Sequence, residues 1–151
     1  PVKAGELPPS AVKYNSSTNT YYALISAPNL TQQQAASLAL SYTYKGRTGT
    51  IAQPMSANTD QWLKDTYGNS GLHRTWIGGF RLAEGTRWKW MNGGEIAFFP
   101  WAWSEPNNLG TSNPSTGIYY YAYPGKTVGW ADVNRDSKSA NLSVLVQLLP
   151  R

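Results

Sequence analysis

Two carboxyl groups and a set of amides stand together in the second half of this chain. Glu105 opens the run Glu105-Pro106-Asn107-Asn108, and Asp132 follows the late Trp130. No Asp or Glu lies between Asn108 and Trp130, so these two acids dominate that region. A carboxyl pair can act as the acid and base of glycoside hydrolysis. Carboxylate and amide oxygens can instead hold a hard cation or hydrogen-bond hydroxyl groups. The run also reads as a proline turn pinned by local hydrogen bonds. Trp101 and Trp103 precede it at alternate positions, so one ring is expected in the core and the other exposed, free to stack on a ligand. His73 is the lone histidine and has no Ser-and-carboxylate pattern near it, so it reads as structural. The chain has no cysteine, which excludes thiol catalysis, thiolate metal sites and disulfides. No residue is assigned a catalytic role.

The 151 residues suffice for one domain that buries a core without staples. Seven Trp and ten Tyr accompany only 14% charged residues, a composition suited to a loop-rich domain with an aromatic recognition surface. The net charge of +5 is spread along the chain with no basic run that would track a phosphate backbone, which argues against nucleic acid as a partner. No segment reaches the roughly 18 consecutive apolar residues that would span a membrane. The chain begins at Pro1 with neither an initiator Met nor an apolar leader, so a processed protein or an excised domain is expected.

These side chains need elements to position them. Residues 1–13 are Pro-rich and non-periodic, and read as a lead-in. Tyr21–Ser26 is a strand candidate. Thr31 and Gln34 form a capping-box pattern ahead of Ala35, Leu38, Ala39 and Tyr42, which predicts a helix ended by Lys45-Gly46-Arg47. A short strand at Thr50–Ala52 precedes a second helix, capped by Ser56 and stopped by Tyr67-Gly68-Asn69. Strands are predicted at Thr75–Gly79, Arg87–Met91, Ile118–Tyr123, Thr127–Trp130 and Leu142–Leu149, the last apolar enough for a central buried strand. Alternation in the Tyr119-Tyr120-Tyr121 and Tyr123 run sends about half of those rings outward. Between Asn92 and Thr116 lies one long loop, a length that in a compact domain signals function.

The order TWIGG, RWKW, WAWSEPNN and GWAD between Trp76 and Asp132 resembles the C-type lectin-like domain. With the strand and helix order before it, the likeness covers roughly residues 19–149, leaving 1–18 as lead-in and 19–151 as the domain. The resemblance implies an α+β fold, two helices flanking two small antiparallel sheets with a long binding loop. It also implies that Glu105, Asn107 and Asp132 ligate calcium, with a cis peptide before Pro106. Two departures stand out. Ala131 replaces an Asn that calcium-binding members carry, and the cysteines of the usual animal pattern are absent, which points to a microbial or viral version. Calcium would then be weakly held, with Asn108, Asn113, Asn134 and Asp136 as substitute donors. A second family calcium position falls on Glu84, whose acidic partner is replaced by Phe80.

The expected function is extracellular or cell-surface recognition and adhesion, within a larger surface protein or assembly. Glu105, Asn107, Asn108, Trp101, Trp103, Asn113 and Asn134 are the candidate ligand-binding residues. The partner is a carbohydrate or a host or cell-surface glycoprotein. Calcium-assisted sugar binding, for which the Glu-Pro-Asn order implies a mannose-like preference, competes with metal-free binding of a protein or glycan by aromatic and amide side chains. A purely structural capping domain is the third reading.

Overall fold

The structure is a computed structural model and describes residues 5–82, 86–106 and 115–150. Its elements are β1 (Val12–Asn15), β2 (Thr20–Ser26), α1 (Gln32–Ala39), β3 (Thr43–Tyr44), β4 (Arg47–Thr48), β5 (Thr50–Ile51), α2 (Ala57–Leu72), β6 (Thr75–Arg81), β7 (Lys89–Trp90), β8 (Thr116–Tyr121), β9 (Gly129–Asn134) and β10 (Ser143–Leu148). The main sheet runs β1-β2-β10-β6-β8-β9, with β5 added to β10 and β7 to β6. Only the β10–β6 pair is parallel, so the sheet is mixed, and the second sheet is just the β3–β4 hairpin. No described helix is long and apolar enough to cross a membrane.

Local signals build these elements where expected. Thr31 accepts from the Gln34 N–H while the Gln34 side chain accepts from the Thr31 N–H, a closed capping box that starts α1. Ser56 caps α2 by accepting from the Thr59 N–H. Gly68, at φ 73 and ψ 178, interrupts α2 where the Tyr67-Gly68-Asn69 stop is expected, and one more turn follows. β10 lies in the middle of the sheet, and Val144, Leu145, Val146 and Leu148 are all fully buried. Such near-continuous apolar burial is what a strand covered on both faces requires.

Four expectations give way to tertiary structure. The segment read as lead-in belongs to the sheet: β1 pairs antiparallel with β2, and Leu7 is buried. Its Pro-rich composition hid a strand of only four residues. The first helix stops at Leu40 rather than at Lys45-Gly46-Arg47. Lys45 and Gly46, at φ 47 and 77, instead form the two-residue turn of the β3–β4 hairpin, whose left-handed pair matches strand twist. The strand expected over Arg87–Met91 shortens to Lys89–Trp90, and that expected at Thr127–Trp130 shifts to Gly129–Asn134.

Polar residues stitch the layers. Buried Gln32 donates from Nε2 to the carbonyls of Ile77 and Gly79, both at 2.8 Å, and accepts from Arg135 Nε at 2.8 Å, tying α1 to β6 and to the chain beyond β9. Asp60 on α2 accepts from the Tyr120 hydroxyl at 2.6 Å and from the Trp130 indole N–H at 3.1 Å, and pairs with Lys64 at 2.9 Å.

Two truncations probe this framework. Leu145→Ala is expected to destabilise by about 2–5 kcal/mol through loss of buried methyls and the cavity left behind. Asp60→Ala is expected to cost about 3 kcal/mol, because it leaves two buried donors and a half-buried ammonium without their partner. Urea unfolding of each variant against the parent protein measures both.

Candidate ligand-binding site

The site is built on the outer edge of β9. Residues 100–102 lie alongside it as a one-step parallel bridge: the Trp130 N–H donates to the Pro100 carbonyl at 2.9 Å and the Ala102 N–H to the Trp130 carbonyl at 2.8 Å. Gly129 permits that approach, since a Cβ there would meet the Ala102 backbone at 2.7 Å. The chain then turns tightly. The Glu105 N–H donates to the Ala102 carbonyl at 3.0 Å, Ser104 sits at φ 64, and the Glu105–Pro106 peptide is cis. This arm brings Glu105 beside Asp132, which is buried on β9 opposite Ile118 of β8.

The Glu105 carboxyl group accepts from the Tyr123 hydroxyl and faces the same cleft as Asp132. Burial, the largest effect, and the contact with the Asp132 side chain push it up to about 7, while the Tyr123 donation pulls the other way. The pair opens into a cleft of about 340 Å³ whose other walls include Arg74, Tyr119, Tyr121 and Tyr123. Burial pushes the Tyr119 hydroxyl up to about 12, so it stays a neutral donor and acceptor. Arg74 sits at φ 62, with its N–H on the Tyr120 carbonyl (2.7 Å) and its carbonyl on the Ser143 N–H (3.0 Å). Its guanidinium lies 5.5 Å from the Tyr121 ring centre.

The expected site residues separate. Trp101 packs inward, its ring stacked on Phe99 at 5.7 Å and edge-on to Trp88 and Trp130. Trp103 points out, 59% exposed, beside the Tyr123 ring at 5.7 Å and under Lys126 Nζ at 5.2 Å. Asn134 sits at the far end of β9, opposite Thr116, and accepts from the Asp136 N–H. Asn107, Asn108, Asn113 and Glu84 lie outside the described residues. His73 is structural, its Nδ1 accepting from the Ala122 N–H at 3.0 Å. Arg74 and Lys126 were not singled out from sequence. Tyr119, Tyr121 and Tyr123 were foreshadowed by their alternation.

The described residues do not fit calcium. The ion takes roughly six to eight oxygens with its carboxylates ionised. Here the described carboxyl groups are only two, Tyr123 already donates to one of them, and the neighbouring wall is the Ala131 methyl. Among the described residues no three His, Cys, Asp or Glu side chains gather as a metal cage would need.

The Glu105 environment makes stability depend on pH. The folded protein holds the Glu105 proton up to about 7, whereas the ordinary value is 4.5. The contribution is therefore fully present below 4.5 and is lost as pH rises through 7. Thermal melts across that window are expected to show the parent protein losing stability relative to Glu105→Gln, whose amide does not titrate. Parallel curves for the two proteins would refute this.

No family model matches the sequence. Ladderlectin of Oncorhynchus mykiss is 29% identical over 86 residues, 56% of this chain, and the match spans 43% of that protein's length. The C-type lectin CEL-I of Cucumaria echinata superposes with a TM-score of 0.65 at 16% identity, covering 93% of this chain and 96% of that one. Human lithostathine gives 0.69 at 16% identity, with 95% and 92% covered. The carbohydrate-recognition domain of the mouse scavenger receptor C-type lectin gives 0.67 at 20% identity, with 96% and 99% covered. Fold is therefore conserved along nearly the whole chain while the sequence has diverged, and this chain is a domain of the C-type lectin-like fold, built without a single cysteine.

Proposed function

We propose that this chain is a carbohydrate-recognition module that binds at the β9 edge and the adjoining long loop without requiring a metal ion. The observation that carries this reading is the cleft in which Glu105, Asp132, Arg74 and a set of tyrosines converge. Neutral and charged hydrogen-bonding groups beside aromatic rings are what sugar recognition needs, since each hydroxyl both donates and accepts. One structural neighbour is itself a carbohydrate-recognition domain, and the sequence relative bears a lectin name. The module acts outside the cell or at a cell surface, as an adhesive part of a larger protein, and performs no chemistry on its ligand.

A second reading, metal-free binding of a protein surface, draws on the outward Trp103 and the 40% exposed Phe99. Large exposed rings of this kind are common anchors of protein interfaces.

A glycan array probed with the intact chain, with and without a calcium chelator, separates these readings. Binding to at least one glycan is expected to survive chelation, and loss of all binding in chelator would refute the metal-free mechanism. Trp103→Ala is expected to weaken capture while shifting stability by no more than about 0.5 kcal/mol, as for other exposed positions. Capture of no glycan at all would transfer the case to the protein-surface reading.

A further inference from the structure

β10 buries one polar side chain among its apolar ones. Gln147 is 3% exposed, and it shares a face with Leu145 and, directly across the sheet, with Tyr22. A buried amide at such a position is the informative exception to apolar packing. The fold accounts for half of it: Oε1 accepts from the Gln53 N–H at 3.0 Å. The amino group has no hydrogen-bond partner among the described residues.

The same arrangement recurs twice in the segments joined by this bond. Gln53 Oε1 accepts from the Asn92 N–H at 3.0 Å, and Asn92 Oδ1 accepts from the Gly94 N–H at 2.9 Å. Because a backbone donor takes each carbonyl oxygen, the orientation of all three amides is decided and each amino group is left over. Gln53, Asn92 and Gln147 line one cleft of about 280 Å³, at the small end for ligand sites. Tyr22 lines it too, and burial pushes its hydroxyl up to about 12, so it remains a neutral donor. Ser56 and Thr59, the cap and first turn of α2, border the same space. No Asp, Glu, Lys, Arg or His is among the described lining residues, and the exposed side chains of Met55 and Leu149 supply apolar surface.

Donors left over without matching acceptors call for a ligand group that only accepts. An ionised carboxylate is such a group, with two oxygens and no proton to give. A hydroxyl or a peptide N–H would need an acceptor in return, and the three amide oxygens are already engaged by backbone. We propose that this cleft is a subsite for a carboxylate carrying a compact apolar group, its oxygens on the amino groups of Gln53, Asn92 and Gln147 and its apolar body on Met55 and Leu149. Both the C-terminus of a peptide ending in an aliphatic residue and a free aliphatic acid present that chemistry. The Glu105 cleft shares no lining residue with it, so the inference stands apart from the carbohydrate reading.

Proton–nitrogen correlation NMR of the intact chain at neutral pH tests it, with isocaproate, acetyl-Gly-Leu and, as the uncharged control, acetyl-Gly-Leu amide as probes. At least one carboxylate is expected to shift the side-chain amino signals of Gln53, Asn92 and Gln147. The amide control is expected to bind about tenfold more weakly, the loss of one charge-assisted hydrogen bond. Asn92→Asp keeps the oxygen that accepts from Gly94 but exchanges the donor for a negative charge, and is expected to weaken carboxylate binding by about tenfold or more. Gln147→Glu should act likewise; melting curves show whether it folds, and Asn92→Asp, at an exposed position, decides where it does not. Tighter binding of acetyl-Gly-Leu supports the subsite with a chain terminus as its ligand, and tighter binding of isocaproate supports it with a small acid. Amino signals unmoved by both carboxylates, equal affinity for the amide control, or undiminished carboxylate binding by Asn92→Asp each overturns the subsite.

Discussion

The Asp60 carboxylate lies buried between α2 and the sheet, receiving the Tyr120 hydroxyl and the Trp130 indole N–H and pairing with Lys64. Withdrawing such a charge from water costs several kcal/mol, an expense offset only when all its partners are in place. That condition fixes α2 against β8 and β9 in a single arrangement. The face proposed for recognition then follows by adjacency. Tyr119 and Tyr121 flank Tyr120 in sequence, so setting one ring inward aims the other two outward. Trp130 anchors the arm that carries Glu105 and stands two residues before Asp132, so its position decides where both carboxyl groups meet.

No covalent bond reinforces this arrangement, because the chain lacks cysteine. Side-chain hydrogen bonds to backbone take that part, one buried and one at the surface. Gln32 joins α1 to two carbonyls of β6 and to Arg135 after β9, closing a span of more than a hundred residues through one amide. Arg47 reaches the Asn19 carbonyl at 2.6 Å and lies over the Tyr21 ring at 4.7 Å, fastening the β3–β4 hairpin to the turn between β1 and β2. Each bond is modest by itself, but removing Gln32 leaves buried groups unsatisfied, which makes the penalty for its loss larger than the gain for formation. Packing supplies the bulk, chiefly through β10 and the cluster of Trp90, Phe98 and Trp101 around Trp130.

The same aromatic residues thus serve two ends. Trp76, Tyr120 and Trp130 are wholly buried and define the core, while Trp103, Tyr121 and Tyr123 stay partly in solvent beside the cleft. The division is made by strand alternation and by which edge of the sheet is left uncovered. A recognition surface made from the far side of core strands is stiff, and stiffness limits the ordering cost that a ligand must overcome.

Much of the architecture is written locally in the sequence. The capping box at Thr31 and Gln34, the Ser56 cap, the alternation of the tyrosine run and the apolar stretch from Leu142 to Leu149 each act within a few residues, so reading them in one dimension succeeds. Motif order also carried the fold, because the Trp, Gly and Pro residues it contains meet packing and turn demands at fixed positions. Other features answer to partners far along the chain. Val12–Asn15 became a strand because β2 offered an edge, and Lys45-Gly46 became a hairpin turn because the chain around Thr43 is held by the backbones of Gly5 and Leu7. The raised proton affinity of Glu105 arises only where an arm from residues 100–106 meets β9 and Asp132, twenty-seven residues later in the chain. Arg74 shows the limit most plainly: its left-handed backbone is imposed by hydrogen bonds to Tyr120 and Ser143, and no neighbour in sequence announces it. Residue type and periodicity determined which elements form and which faces they bury, whereas the meeting of charges and rings in one cleft was decided by tertiary contacts, since proximity between distant segments has no local code.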